Sequence, residues 1–398
     1  MSINYELNNK FILGFLKLID IIAPPFDTNK KIKDFICSSP NILLINYAHI
    51  GDIIISSYIL PLIRVKYPNA KIGFVVGSWS KMVLDENPNV SQIHIIDHWF
   101  YNRSKINILF KFYKYFLSLY KNQKIIRKNK YDVAIELNSH FPNMIPSLKL
   151  INIPIRIGYS TGGFGGFLTH RLNSINKNSH EFHIKKKLLK FLSIQDIKNK
   201  TSISIPSLEV HMINKTFNHI FSNISNQGYN LDEYIIMHVG TGSKVREWPI
   251  KNWKLLTNKL INNGNILVFT GKGEREKKQV NEIINNQNNC INLCDLLNWD
   301  ELSIIIKNAK IIVGVESMMG HLASALGTLS INIYSGIGNI NRWKPLGEKS
   351  VVITNPVPCS PCHLRNGCNT MDCVRGVKYI EVYEALNSIS KKKEPYKC

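Results

Sequence analysis

The sequence predicts an α/β fold, and three short, largely apolar strands, each running through a small-residue turn into a helix, carry the prediction. They are residues 234–239, 266–270 and 311–315. Runs apolar at every position, not at alternate ones, mark parallel strands covered on both faces, and strand–turn–helix units in series mark a Rossmann-like half. At 398 residues, with 44% hydrophobic and 20% charged, the chain suits two such domains, each able to bury its own core.

The first of these turns reads Gly240-Thr241-Gly242-Ser243, followed by Lys244, Arg246 and the pair Trp248-Pro249. Small residues let a ligand reach the backbone, the helix start beyond them offers free N–H groups and the positive end of its dipole, and two cations add charge. The combination suits an anionic ligand, although a solvated basic surface turn has the same composition. The second turn, 271–274, leads into a very polar helix start. The third spans 316–320 and precedes a small-residue helix, 321–326, that can pack closely on its neighbours.

The N-terminal half repeats the pattern, with strands at 41–46, 71–76, 93–96 and 131–137 and a glycine-rich loop at 158–166. The Asn/Ser-rich, weakly periodic stretch 198–232 reads as the linker, and 379–390 as a closing helix. The expected organisation is an N-terminal extension, 1–38, a first Rossmann-like domain, 39–205, a second, 206–377, and a C-terminal helix and tail, 378–398. No repeat of fixed period is visible, although the two halves are compatible with a shared fold.

The formal charge is +22. Residues 101–130 hold nine Lys or Arg and no Asp or Glu, interleaved with Phe110, Phe112, Tyr113, Tyr115, Phe116 and Tyr120. That composition fits a basic amphipathic helix at an anionic membrane surface, and equally a surface helix with its aromatics in the core. No zinc-finger, RRM, KH or basic-zipper pattern points to nucleic acid. The most apolar N-terminal stretch, 11–26, contains Lys17, Asp20 and two prolines, too polar for a membrane span, and lacks a signal-peptide cleavage site. The expected location is cytoplasmic, with peripheral contact at the inner face of the inner membrane as the consequence of the membrane reading.

Cys359, Cys362, Cys368 and Cys373 stand at the spacing C-x2-C-x5-C-x4-C, compact enough for a four-thiolate metal site. A loop of partly buried free thiols is the preferred reading. The chain contains no Asp-x-Asp pair, so no catalytic metal and no cofactor are expected.

Taken together, these residues resemble glycosyltransferase family 9, the heptosyltransferases of lipopolysaccharide core assembly. The resemblance spans residues 40–385 through separated, ordered points. They begin with the strand, Gly51-Asp52, Pro61 and Tyr67-Pro68 of NILLINYAHIGDIIISSYILPLIRVKYP. YDVAIEL from Tyr131, RIGYS from Arg156, the cations before Trp248-Pro249, the turn with Glu274, the turn from Glu316 to His321, SGIGNINRWKPLG and the cysteine run follow. The resemblance implies a GT-B fold, two Rossmann-like domains facing a central cleft. It also implies inverting transfer of a sugar, heptose in most of the family, from a nucleotide-diphosphate donor such as ADP-heptose to a lipid-linked saccharide acceptor.

Residue by residue, the resemblance makes Asp52 the general base, against the plainer role of a helix-capping aspartate. Arg246 stands where the family has a lysine, with Lys244 as a substitute nearby, and Thr241, Gly242 and Ser243 complete a donor-binding turn. Glu274 matches a glutamate that bonds ribose hydroxyls. In the third turn Ser317 and His321 keep the family's places, while Glu316 replaces an aspartate and Met318 a glycine, a change expected to crowd a diphosphate resting on the backbone. Acceptor recognition is expected from first-domain loops, 158–166 among them. The alternatives are a nucleotide-sugar epimerase on the same fold and a catalytically weakened family member acting as a binding protein.

Overall fold

The computed structural model describes residue 5 and residues 10–22, 39–194 and 233–391. The predicted linker, most of the N-terminal extension and the end of the tail lie outside the described residues. The chain separates into two compact units, Met1–Pro206 and Ser207–Cys398.

The first unit is built on a six-stranded parallel sheet: β1 (Asn41–Ile45), β2 (Lys71–Val76), β3 (Gln92–Ile95), β4 (Val133–Glu136), β5 (Ile155–Tyr159) and β6 (His170–Leu172). Its order is β3-β2-β1-β4-β5-β6. Ile45 of β1 lies opposite Val75 on one side and Glu136 on the other. Six helices accompany the sheet: α1 (Lys10–Ile22), α2 (Ile50–Ser57), α3 (Leu60–Lys66), α4 (Ile108–Lys128), α5 (Ile145–Leu150) and α6 (Glu181–Leu188). One face of the sheet packs Ile53 of α2, Leu62 and Ile63 of α3 and Ile184 and Leu188 of α6. The other packs Tyr115, Leu119 and Ile126 of α4 with Leu148 of α5. In α2 the run Ile53-Ile54-Ile55 defies its β-branched preference because all three side chains are buried.

The second unit repeats the design with β7 (Tyr234–His238), β8 (Ile266–Thr270), β9 (Cys290–Asn292), β10 (Ile311–Val315), β11 (Ser330–Ile333) and β12 (Ser350–Ile353). Read from the β9 edge, the order is β9-β8-β7-β10-β11-β12, the same winding as the first unit. The accompanying helices are α7 (Ile250–Asn262), α8 (Glu274–Ile284), α9 (Trp299–Asn308), α10 (Met318–Leu326), α11 (Ile340–Trp343), α12 (Asp372–Arg375) and α13 (Tyr379–Lys391). Both sheets therefore reverse direction beside their first strand, between β1 and β4 and between β7 and β10. In open α/β sheets the loops leaving the carboxyl ends at such a point diverge and leave room for a ligand.

No helix among the described residues is long and apolar enough to cross a membrane.

Candidate active site

In the first unit the loop after β1 brings Asp52 to the carboxyl edge of the sheet, beside the end of β4. Asp52 is the third residue of α2, and its Oδ2 accepts the backbone N–H of His49, the N-cap, at 3.2 Å. The capping role weighed from the sequence is present, but at N3 and not at the N-cap itself. The residue as a whole is half-buried. Desolvation raises its pKa above the ordinary carboxylate value, opposed by Lys185 and reinforced by Glu181.

Three charged groups around Asp52 escaped the sequence reading. Glu136 closes β4 fully buried, its two carboxyl oxygens accepting the backbone N–H groups of Asn138 at 3.1 Å and Met144 at 3.0 Å. Burial outweighs those two donors and pushes its pKa up to about 8. Lys185 and Glu181 of α6 form a buried ion pair at 2.6 Å. An aromatic wall stands beside them: Tyr101 meets the His49 ring edge-on at 5.6 Å, and the Tyr101 hydroxyl accepts from Asn138 Nδ2 at 2.9 Å. His49 is held neutral, its pKa lowered to about 4 by desolvation and by Arg103. A glutamate ending an apolar strand and an i, i+4 Glu–Lys spacing were the only signals the sequence offered.

The glycine-rich loop 158–166 is folded into its own unit. Asn143 Nδ2 donates to the Gly162 carbonyl at 3.0 Å, and a Cβ at Gly162 would lie 2.7 Å from the His140 carbonyl carbon. At Gly162, close backbone packing explains the glycine.

In the second unit the turns after β7 and β10 meet, because the two strands are neighbours with His238 opposite Gly314. Thr241 Oγ1 donates to the Glu316 carbonyl at 3.1 Å. Arg246 Nη1 lies 2.9 Å from Glu316 Oε1, and Ser335 Oγ donates to Glu316 Oε2 at 2.9 Å. Glu316, standing where the family has the shorter aspartate, thus holds the predicted phosphate-binding cation. Ser317 is the N-cap of α10, its Oγ accepting the Met319 N–H at 3.3 Å, and Met318 is the first helical residue. The helix begins three residues earlier than expected, which puts the positive end of its dipole at this junction and His321 in its first turns.

Trp248 fixes the cationic turn to the unit: its Nε1 donates to the Val377 carbonyl at 2.8 Å and its ring meets Trp253 edge-on at 4.9 Å. Gly242 and Lys244 are exposed, and Ser243 precedes the 3₁₀ turn Lys244–Arg246. Glu274 is exposed at the start of α8, whereas Glu276, two residues on, is buried against Gly240, where a Cβ would collide with its carboxylate. Arg275 Nη2 donates to the Thr241 carbonyl at 2.8 Å and Nη1 pairs with Glu247 at 3.2 Å. Arg275 is a second guanidinium at the turn, and the sequence reading passed over it inside the polar tract.

The cysteine run is divided: Cys373 is buried in the core, while Cys359 and Cys368 are exposed. Among the described residues no group of three His, Cys, Asp or Glu is placed to hold a metal ion.

Two doubly wound units of identical winding, with a cationic turn and a helix start joined at the switch point of the second, are the architecture of the GT-B fold. A glycosyltransferase family 9 structure from Veillonella parvula superposes with a TM-score of 0.73 at 17% identity, covering 89% of this chain and 98% of that one. The E. coli ADP-heptose LPS heptosyltransferase II superposes with a TM-score of 0.66 at 20% identity, covering 89% and 100%. The model of glycosyltransferase family 9 (heptosyltransferase) matches residues 119–371, well over half of the sequence, and the chain belongs to that family. Lipopolysaccharide heptosyltransferase 3 of E. coli is 22% identical over 309 residues, 76% of this chain and 85% of that protein. Lipooligosaccharide heptosyltransferase 2 of Haemophilus influenzae is 23% identical over 79% of this chain and 88% of its own length.

Proposed function

We propose that this glycosyltransferase moves a heptose, with inversion, from ADP-heptose to a hydroxyl of a lipopolysaccharide-core-type glycolipid, with Asp52 as general base and no divalent metal. The observation that carries the reading is the junction of Thr241, Arg246, Glu316 and the α10 start at the second unit's switch point. A nucleoside diphosphate leaving group gains charge as the glycosidic bond breaks. Fixed guanidinium and N–H groups stabilise that charge without reorganising. Arg246, Lys244 and the N–H groups beyond Ser317 are the groups assigned to it, with Gly242 and Ser243 lining the approach and Glu274 meeting the ribose.

The acceptor hydroxyl is a poor nucleophile until its proton is leaving, and a carboxylate with a raised pKa is a stronger base for that proton than an ordinary one. Desolvation supplies that property at Asp52. A lipid-linked acceptor brings the enzyme to the inner face of the inner membrane, and the acid-free segment 101–130 is the part assigned to that surface.

One observation favours a second reading. Arg246 is already engaged by Glu316, and Met318 occupies the helix start, as in a family member with weakened turnover. A thermal-shift screen of nucleotide-sugars tests the donor, since stabilisation follows RT ln(1 + [L]/Kd) and reaches about 2.7 kcal/mol at a hundredfold excess over Kd. ADP-heptose should raise the melting temperature above every UDP- or GDP-sugar. A UDP-sugar that stabilises more strongly would overturn the donor assignment.

A further inference from the structure

We propose that the first unit docks on an anionic bilayer through two helices at once, α1 and α4, whose outward sides form one apolar and basic platform. The 21-residue α4 buries Tyr115, Leu119 and Ile126 in the core of its unit. An exposed flank of it carries Leu109, Tyr113, Phe116 and Tyr120, spaced four, three and four residues apart and therefore on one stripe, exposed by 75%, 60%, 60% and 59%. Lys114, Lys121, Lys124 and Lys128 stand exposed along that stripe. The ammonium of Lys124 lies 4.6 Å from the centre of the Tyr120 ring.

Helix α1 repeats the arrangement with different residues. Phe11, Phe15, Leu18 and Ile22 have the same four, three, four spacing and are all exposed, Phe11 by 87%. Leu16 is buried against Gly163, and Lys10 and Lys17 face solvent. The single acid of the helix, Asp20, turns inward, accepting the Gly166 N–H at 3.3 Å and the Tyr5 hydroxyl at 2.8 Å. Neither outward side therefore presents a carboxylate.

The two helices are linked through α5. Arg127 of α4 donates to the Leu150 carbonyl at the end of α5 at 2.6 Å, and α1 and α5 both pack on the turn Gly165–Phe167. Leu150 itself is exposed. Charge complementarity selects the occupant: lysines set among aromatic and aliphatic side chains match acidic headgroups above an acyl layer, whereas a second copy of the same cationic surface would be repelled. The lipid-linked acceptor proposed above supplies the purpose of this docking, but the docking itself is measured without substrate.

Flotation of the full chain with vesicles provides the test, using phosphatidylcholine alone and phosphatidylcholine mixed with phosphatidylglycerol. Binding should require the anionic lipid. It should fall by about tenfold or more in Tyr113→Ser/Phe116→Ser/Tyr120→Ser and again in Phe11→Ser/Phe15→Ser/Leu18→Ser. Each variant should melt as the wild type does and transfer normally to a detergent-dispersed acceptor, a parallel assay whose failure in the wild type would concern the proposed reaction and not the docking. Undiminished binding by the α1 variant overturns the two-helix platform. Equal binding to neutral vesicles, or none to anionic ones, overturns the bilayer as its occupant.

Discussion

At Asp52 one carboxylate both caps a helix and stands as the candidate base, and substitution separates the two uses. Asp52→Asn retains an oxygen for the His49 N–H while losing basicity. Transfer should fall by about 10²- to 10⁴-fold with donor affinity unchanged, and a rate within a few-fold of wild type would refute the assignment. Because the Asp52 pKa is raised, the acid limb of the kcat profile should sit above the ordinary carboxylate range. Glu136 gives a stability prediction of defined sign. Its pKa rises from 4.5 to about 8, so the folded state holds a proton the unfolded chain has released. Its contribution is complete below the lower value and is lost as pH climbs through that window. Glu136→Gln should melt with a shallower decline between pH 5 and pH 8 than wild type, and parallel curves would show that the carboxyl is ionised in the fold. Arg246→Ala should weaken donor binding by about ten- to a hundredfold, since it removes a charged donor and leaves Glu316 facing the diphosphate. Adding Glu316→Gln should recover part of the loss, and no recovery would mean that Glu316 does not meet the donor.

The helix starts hold most of the residues assigned to the proposed chemistry, and they were only partly legible. Strands β1, β7, β8 and β10 could be read because nearly every residue is apolar and buried. Edge strands β6 and β9, in contrast, are three residues long and partly exposed, so no hydrophobic run announces them. The start of α10 was misplaced because Met318 reads as an apolar turn residue until the Ser317 cap is seen. Glu136, Lys185 and Arg275 stayed hidden for a different reason: a charged side chain becomes informative only when its tertiary neighbours are known. Helix α6 shows the consequence. Lys185→Ala would leave Glu181 buried without its partner, destabilising the protein by about 3–5 kcal/mol. It would also remove the cation that lowers the Asp52 pKa, so the acid limb of kcat should move to higher pH. A loss of stability with an unmoved pH profile would confine Lys185 to a structural role.

Across the whole molecule the shared winding of the two sheets was only suspected from the sequence, because the halves share no residue period and strand order is a property of pairing. The donor groups assigned in the proposal all belong to the second unit, around residues 240–246, at Glu274 and around 316–321. Hydrogen exchange with saturating ADP should therefore slow amides in those three turns, and protection centred instead on the loop after β1 would reassign the donor site. The central claim, metal-independent heptosyl transfer, is tested most directly by incubating the enzyme with ADP-heptose and a lipopolysaccharide-core acceptor in excess EDTA and following both products by mass spectrometry. The expected result is one heptose added to the acceptor and one ADP released per turnover, at a rate unchanged by the chelator. Donor isomerised without acceptor, or transfer that stops in EDTA and returns with Mg²⁺ or Mn²⁺, would contradict the account.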